Sequence, residues 1–145
     1  MKAANADVLR RVAAFVVDGL IAAALATIPV VGVLAAALYI LGRDGLMRGR
    51  SPGKRLLGLR VIKTPSRSEA DYVDSVKRNA IFVLPDVLMA VPVLSATLAA
   101  SVSVAVLAVE LVFLLTDPAG MRLGDRFAGT RVTRELAEEV PRRAA

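Results

Sequence analysis

All nineteen Lys and Arg residues fall in three blocks, 2–11, 43–78 and 122–143, and the two tracts between them, 12–42 and 79–121, hold none. This segregation restricts the fold more than any single motif does. A soluble domain spreads its charges over the surface that encloses its core. A tract of more than about 18 residues with few charges is instead long enough to cross a bilayer. With 56% of its residues hydrophobic and 22% charged, the chain reads as an integral membrane protein.

Each tract is too long for one span. Tract 12–42, as a single helix at ~1.5 Å per residue, would measure roughly 46 Å against a hydrocarbon core of ~30 Å. Pro29 and Gly32 break it, which predicts helices from about Val8 to Ile28 and from about Val33 to Met47. In the second tract Pro92 and Ser95 offer the turn, with spans near 79–93 and 97–117. Charge gives an independent argument. Basic loops stay on the cytoplasmic side, and the three basic blocks share that side only if each tract crosses an even number of times. The expected architecture is all-α, four transmembrane helices in two hairpins, with both termini cytoplasmic. Lys2 and Arg10-Arg11 ahead of an apolar stretch imitate a signal peptide. Asp18 interrupts that stretch, however, and the apolar run continues well past Ala26, so a retained span is expected.

Absent residue types narrow the chemistry. With no Cys and no His, the chain has no disulfide framework, no thiolate nucleophile or metal site and no imidazole base. An enzyme is not expected, and neither is a cofactor. The net charge of +6 is accounted for by basic residues at cytoplasmic membrane borders and calls for no nucleic-acid partner. Those residues point to a bilayer with anionic headgroups.

The chain repeats itself. GKRLLGLRV at 53–61 and GDRFAGTRV at 124–132 share Gly-x-Arg-x-x-Gly-x-Arg-Val, and each follows an apolar tract. Upstream, Arg11-Val-Ala-Ala-Phe-Val and Arg78-Asn-Ala-Ile-Phe-Val open the two tracts alike. Two internal repeats, about 8–61 and 78–132, are therefore expected, with 62–77 as a cytoplasmic connector and 134–145 as a tail. Since each half crosses twice, the halves share one orientation about a pseudo-twofold along the membrane normal, the parallel arrangement found in some transporters.

Arg11, Asp18 within the first helix, SPGKRLLGLRV, Arg78-Asn79 and the closing GDRFAGTRV together resemble the RDD family of small bacterial membrane proteins, named for one arginine and two aspartates. Arg11 and Asp18 match the first two, and Asp125 or Asp117 the third. The family often has His-Asp where this chain has Gly124-Asp125, so no role for an imidazole carries over. The resemblance implies a place in the bacterial inner membrane and a loose association with transport of unidentified ligands.

Asp18, Asp86, Glu110 and Asp117 lie within or at the edge of the apolar tracts. A carboxylate at the bilayer centre costs roughly 2.5–3.5 kcal/mol on insertion scales, so each needs a partner, a proton or a water-filled cavity. One reading groups Asp18, Asp86 and Glu110 near the midplane with Asp117 at the mouth, beside a carbonyl freed by Pro85, as a pathway exchanging Na⁺ for H⁺. In the other, Asp18 and Asp86 pair with arginine or cap backbone groups and hold the hairpins together. Arg11 is expected to reach the cytoplasmic interface. The Gly/Arg segments also have two readings. Gly53, Gly58, Gly124 and Gly129 allow tight turns while Arg55, Arg60, Arg126 and Arg131 meet headgroups, or the segments pack together as a plug in which Asp125 pairs with an arginine of the first. Ser68-Glu69-Ala70-Asp71 is expected to cap a juxtamembrane helix with Tyr72, Val73 and Val76 on its apolar side. Two functions follow: a small transporter, acting as a homo-oligomer, or a non-transporting scaffold that assembles or stabilises a partner.

Overall fold

The computed structural model describes residues 8–64, 66–89 and 96–134. Eight elements follow in order: α1 (Val8–Ala26), α2 (Gly32–Gly42), α3 (Pro52–Leu56), β1 (Leu59–Lys63), α4 (Tyr72–Met89), α5 (Ala96–Thr116), α6 (Leu123–Phe127) and β2 (Thr130–Arg134). Each half thus runs long helix, return helix, one-turn helix, strand. α1 packs on α2 and α3, α4 packs on α5 and α6, and α2 packs against α4 across the middle.

The break in the first tract falls where Pro29 and Gly32 place it, with a turn over 27–31. α2 nevertheless stops at Gly42 rather than Met47. At eleven residues it is about 16 Å long. Its end is set by Arg43 and Asp44, both buried, which turn the chain into polar contacts with α4. The expected turn at Pro92–Ser95 and the tail 135–145 lie outside the described residues.

α4, the counterpart of the third expected span, begins at Tyr72, seven residues before the expected start at 79. Its start is capped by Asp71 and Asp74: the Asp74 N–H donates to Asp71 Oδ1 and the Asp71 N–H to Asp74 Oδ2, each at 3.0 Å. This reciprocal cap lies three residues beyond the one expected at Ser68–Asp71. Tyr72, Val73 and Val76 face outward. Ser68 and Glu69 instead edge the strand, where Lys63 N–H donates to the Ser68 carbonyl and Ile62 bridges Glu69.

The purely helical expectation fails at the two Gly/Arg segments. Each is a single helical turn, a left-handed glycine and a strand, with Gly58 and Gly129 both at φ +63°. The strands pair antiparallel in a register that puts Val61 opposite Val132, Leu59 opposite Arg134 and Lys63 opposite Thr130. Alternation drives this, since positions 59, 61, 130 and 132 are buried and those between them are not. Leu59, Val61 and Val132 form a small core with Ala14 and Ala70. Full burial of each Leu or Val contributes about 1.5–3 kcal/mol.

Elsewhere the usual pattern is inverted. Buried polar residues outnumber buried apolar ones among the described residues, while Leu20, Leu34, Leu38, Val104 and Leu115 are each more than half exposed. Thr97–Thr116 has a mean hydropathy of 2.5 and is, among the described residues, the one helix long and apolar enough to cross a membrane by itself. An apolar exterior around a charged interior suits a lipid surrounding.

Candidate functional site

The first anchor is Asp18, midway along α1 and fully buried. Ser51 caps α3, accepting from the Lys54 N–H at 3.2 Å, and its hydroxyl donates to Asp18 Oδ2 at 2.5 Å. The Gly53 N–H and the Tyr39 hydroxyl donate to Asp18 Oδ1 at 2.8 and 3.1 Å. A Cβ at Gly53 would overlap the Ala14 carbonyl, so only glycine lets this turn sit against α1. Asp18 therefore acts as a clamp for α3.

Lys54 and Asp44 meet in the centre, the ammonium donating to Asp44 Oδ1. Asn79 Nδ2 donates to Asp44 Oδ2 at 3.1 Å, the Ser75 hydroxyl accepts from the Asp44 N–H at 3.1 Å, and Arg78 Nε lies 3.3 Å from Asp44 Oδ2. Burial pushes the Lys54 ammonium pKa down to about 7, with Asp44 opposing the shift. Burial alone would raise the Asp44 carboxyl, but Lys54, Arg78 and Arg43 outweigh it and hold the group ionised, well below the usual carboxylate range.

Asp125, on α6, is the second anchor. Arg11 Nη2 donates to its Oδ2 at 2.7 Å, and Arg78 Nη2 lies 2.6 Å from its Oδ1. The Arg122 N–H donates to Oδ2 at 3.2 Å, closing the first turn of α6. Burial opposes ionisation here too, yet Arg78, Arg122 and Arg11 keep the carboxyl below its ordinary range. Arg11 is thus not a snorkelling residue. It crosses to the other half, donating also to the Gly120 carbonyl. Nor does Asp125 pair with an arginine of the first Gly/Arg segment. Arg60 is paired with Glu69 at 2.7 Å, and Arg55 points outward with Met47 Sδ at 3.7 Å.

Glu110, on α5, is buried and accepts from the Gly124 N–H at 3.1 Å through Oε1. Its Oε2 accepts no hydrogen bond, and the nearest cationic group is Arg122 Nε at 3.9 Å. A Cβ at Gly124 would overlap the Arg78 carbonyl, as one at Gly53 would the Ala14 carbonyl. The expected grouping of Asp18 with Glu110 is not formed: each carboxylate holds the one-turn helix of its own half. Asp117 is occupied with the Met121 N–H at 2.8 Å and with Arg126, both of which hold its carboxyl below the usual range. Arg131 lies half-buried on β2. Asp86 follows Pro85 on α4, and its side chain lies outside the described residues. Among the described residues, no group of three acids converges as a metal cage would require.

Reasoning from sequence missed Arg43, Asp44, Arg122 and the lysine–aspartate pair at the centre. One signal was available. Arg43-Asp44 closes an apolar tract with adjacent opposite charges, a poor start for a solvated loop and a reasonable one for a buried network.

Beside the network lies a cavity of about 230 Å³. Arg11, Arg43, Lys54, Arg78, Arg122 and Glu110 line its polar side, and Leu107, Leu111 and Leu114 of α5 line the apolar side with Val12 of α1. Phe15 and Phe82 form its floor, with ring centroids 5.5 Å apart. Arg43 stands over Phe15 and Arg122 over Phe82, each at 5.3 Å, within cation–π range.

No curated protein and no solved structure matches the chain. A family model does, over a span that begins beyond Arg11 and Asp18 but takes in Arg43, Asp44, Lys54, Arg78, Glu110, Arg122 and Asp125. The matched family is RDD, over residues 26–129, and this small membrane protein belongs to it.

Proposed function

We propose that the chain is a four-span protein of the bacterial inner membrane, inserted from the cytoplasmic side as two duplicated hairpins, which moves a small charged solute past its buried charge network. Duplication is supported by the shared order of elements, by Val61 facing Val132 at the centre of the ribbon, and by the contact between Phe15 and Phe82, which occupy matching places in the two halves. The observation that carries transport is the network itself. Charged side chains are costly inside a membrane and mark solute and proton pathways there, and these adjoin a cavity.

Glu110 is the group proposed to carry the proton. Asp18 and Asp44 have both oxygens in hydrogen bonds and Asp125 has an arginine nitrogen within 2.7 Å of each of its oxygens, whereas Glu110 Oε2 has no cationic nitrogen nearer than Arg122 Nε at 3.9 Å. Exchange of Na⁺ for H⁺ would therefore run through Glu110 and not through a cluster of acids. The second reading, a scaffold that assembles or stabilises a partner, is favoured by the saturation of Asp18 and Asp125. In either role a homo-oligomer is proposed, with the exposed apolar faces as contact surface.

Liposomes holding a pH-sensitive dye, with Na⁺, K⁺ and Li⁺ gradients imposed in turn, test the transport reading. Cation-driven proton movement is expected from the wild type and not from Glu110→Gln, whose fold is checked by circular dichroism. Asp18→Asn is expected to lose stability rather than show selective loss of flux. No movement above empty liposomes for any of the ions would remove cation/proton exchange and leave the scaffold role.

A further inference from the structure

We propose that the cavity between α1 and α5 is a binding site for a small oxyanion, a phosphate or carboxylate, that carries an apolar substituent. This rests on reading the charge network as a solute site and gives it an anionic ligand, separate from the Na⁺ and H⁺ proposed to exchange at Glu110. Charge is the first observation. Five cations line the cavity and one carboxylate, Glu110, accompanies them. Asp18, Asp44 and Asp125 stand behind and are occupied by donors already described. With Lys54 protonated, five cations meet four acids across the nine groups, which leaves one positive charge without a counterion.

Arg43 is where that charge is least answered. It is 1% exposed, and its Nη1 lies 3.7 Å from Asp18 Oδ2, beyond hydrogen-bond reach. Its one hydrogen bond is a long one to a neutral acceptor, Asn79 Oδ1 at 3.5 Å. Neither Nε nor Nη1 of Arg43 has a hydrogen-bond partner, and the same is true of Arg78 Nη1. Buried guanidinium donors without acceptors are disfavoured unless something supplies oxygens. These nitrogens have almost no accessible surface and stand just behind the cavity wall, where Arg11, Lys54 and Arg122, with side chains 8, 9 and 12% exposed, would meet a planar oxyanion or a phosphate first.

Shape is the second, independent observation. α2 packs against α4, but the corresponding pair in the other half, α5 and α1, does not pack closely, and the cavity lies in that place. Val12, Leu107 and Leu111 line it and are each between 42 and 46% exposed. Its mouth therefore opens onto the apolar outer surface of the helices. A ligand seated with its charge on the arginines would leave through this mouth only by an apolar part. The volume is below the roughly 300–1,000 Å³ of sites for drug-sized molecules, which limits the enclosed portion to a headgroup or a short-chain acid.

Such an oxyanion has two sources, a lipid headgroup or a free anion, and the test separates them. Full-length protein in a neutral maltoside detergent is titrated with hexyl phosphate, inorganic phosphate and hexyltrimethylammonium, with thermal stability as the readout. A parallel arm compares nanodiscs of phosphatidylcholine with and without phosphatidylglycerol. Hexyl phosphate is expected to raise Tm in a saturable way, and hexyltrimethylammonium is expected not to. Leu111→Trp, which fills the mouth and leaves every charge in place, and Arg43→Gln, which removes the least answered charge, should each weaken binding at least about tenfold, about 1.4 kcal/mol. Stabilisation by phosphatidylglycerol but not by inorganic phosphate assigns the site to lipid, and the reverse assigns it to a soluble anion. A wild type that ignores both phosphates and phosphatidylglycerol, a response as large to the ammonium, or a Leu111→Trp variant that binds undiminished overturns the proposal. Binding without ion flux would retain the site while removing the transport reading. Cation-driven flux without anion binding would do the opposite.

Discussion

Asp125 is the residue on which the two halves depend most directly. Its carboxylate takes Arg11 from the first helix of one half and Arg78 from the first helix of the other, with all three side chains at most 8% exposed. Removing one partner from a buried ion pair costs about 3–5 kcal/mol, because it strands the remaining charge. Asp125→Asn keeps the shape and removes the charge, leaving two buried guanidinium groups to share a neutral amide. A loss in the range of about 3–5 kcal/mol is expected on SDS unfolding followed by circular dichroism. Arg55→Gln, an exposed position in the equivalent one-turn helix, is expected to stay within about 0.5 kcal/mol of wild type. Equal stability of Asp125→Asn and the wild type would mean that the arginines are held by something other than this carboxylate.

At the scale of elements, the repeated Gly-x-Arg-x-x-Gly-x-Arg-Val resolves into two different uses of glycine. The first glycine, Gly53 or Gly124, is there for contact, since any Cβ would meet the carbonyl of a neighbouring long helix. The second, Gly58 or Gly129, is there for conformation. It sits at φ +63° with nothing closer to an added Cβ than ordinary van der Waals distance. Alanine at Gly58 or Gly129 is expected to cost about 1–2 kcal/mol, the left-handed backbone term alone. Alanine at Gly53 should cost more, because it also lifts the Gly53 N–H away from Asp18. Thermal unfolding of the three variants in detergent checks the order, and a Gly53→Ala milder than Gly58→Ala would contradict the packing explanation. The recurring Gly/Arg motif, the break at Pro29–Gly32 and the helical character of both tracts were legible in the sequence, because charge segregation and turn residues are local signals. The ribbon was not, since two five-residue strands pair across about seventy positions and alternate apolar residues only at Leu59 and Val61 against Val132. The network was half legible. Asp18, Glu110 and Asp125 stood out as acids among apolar residues or in a motif, but their partners sit in basic blocks where one arginine looks like the next.

For the whole molecule, helix lengths and network depth agree with each other. α1 has nineteen residues, about 28 Å, against a hydrocarbon core of about 30 Å. α2 returns through about 16 Å and stops at Arg43, which places the network roughly 12 Å from the N-terminal end of α1. Arg11 and Asp18 bracket that depth. A short α2 is therefore compatible with a full crossing, provided the charges it reaches are shielded by α4 and not by headgroups. Because the chain holds no cysteine, single-cysteine variants report the topology without background. Thr27→Cys, in the turn between α1 and α2, is expected to react with a membrane-impermeant maleimide added outside intact cells. Ser66→Cys, in the connector, and Ala119→Cys, after α5, should react only once the membrane is permeabilised. All three positions are exposed, so access and not burial decides the labelling. Thr27→Cys labelled only after permeabilisation would turn the first hairpin into a re-entrant one, and the excess of positive charge would then face a cavity closed to the far side. Labelling of Ser66→Cys from outside would invert the arrangement and contradict the distribution of Lys and Arg from which the four spans are argued.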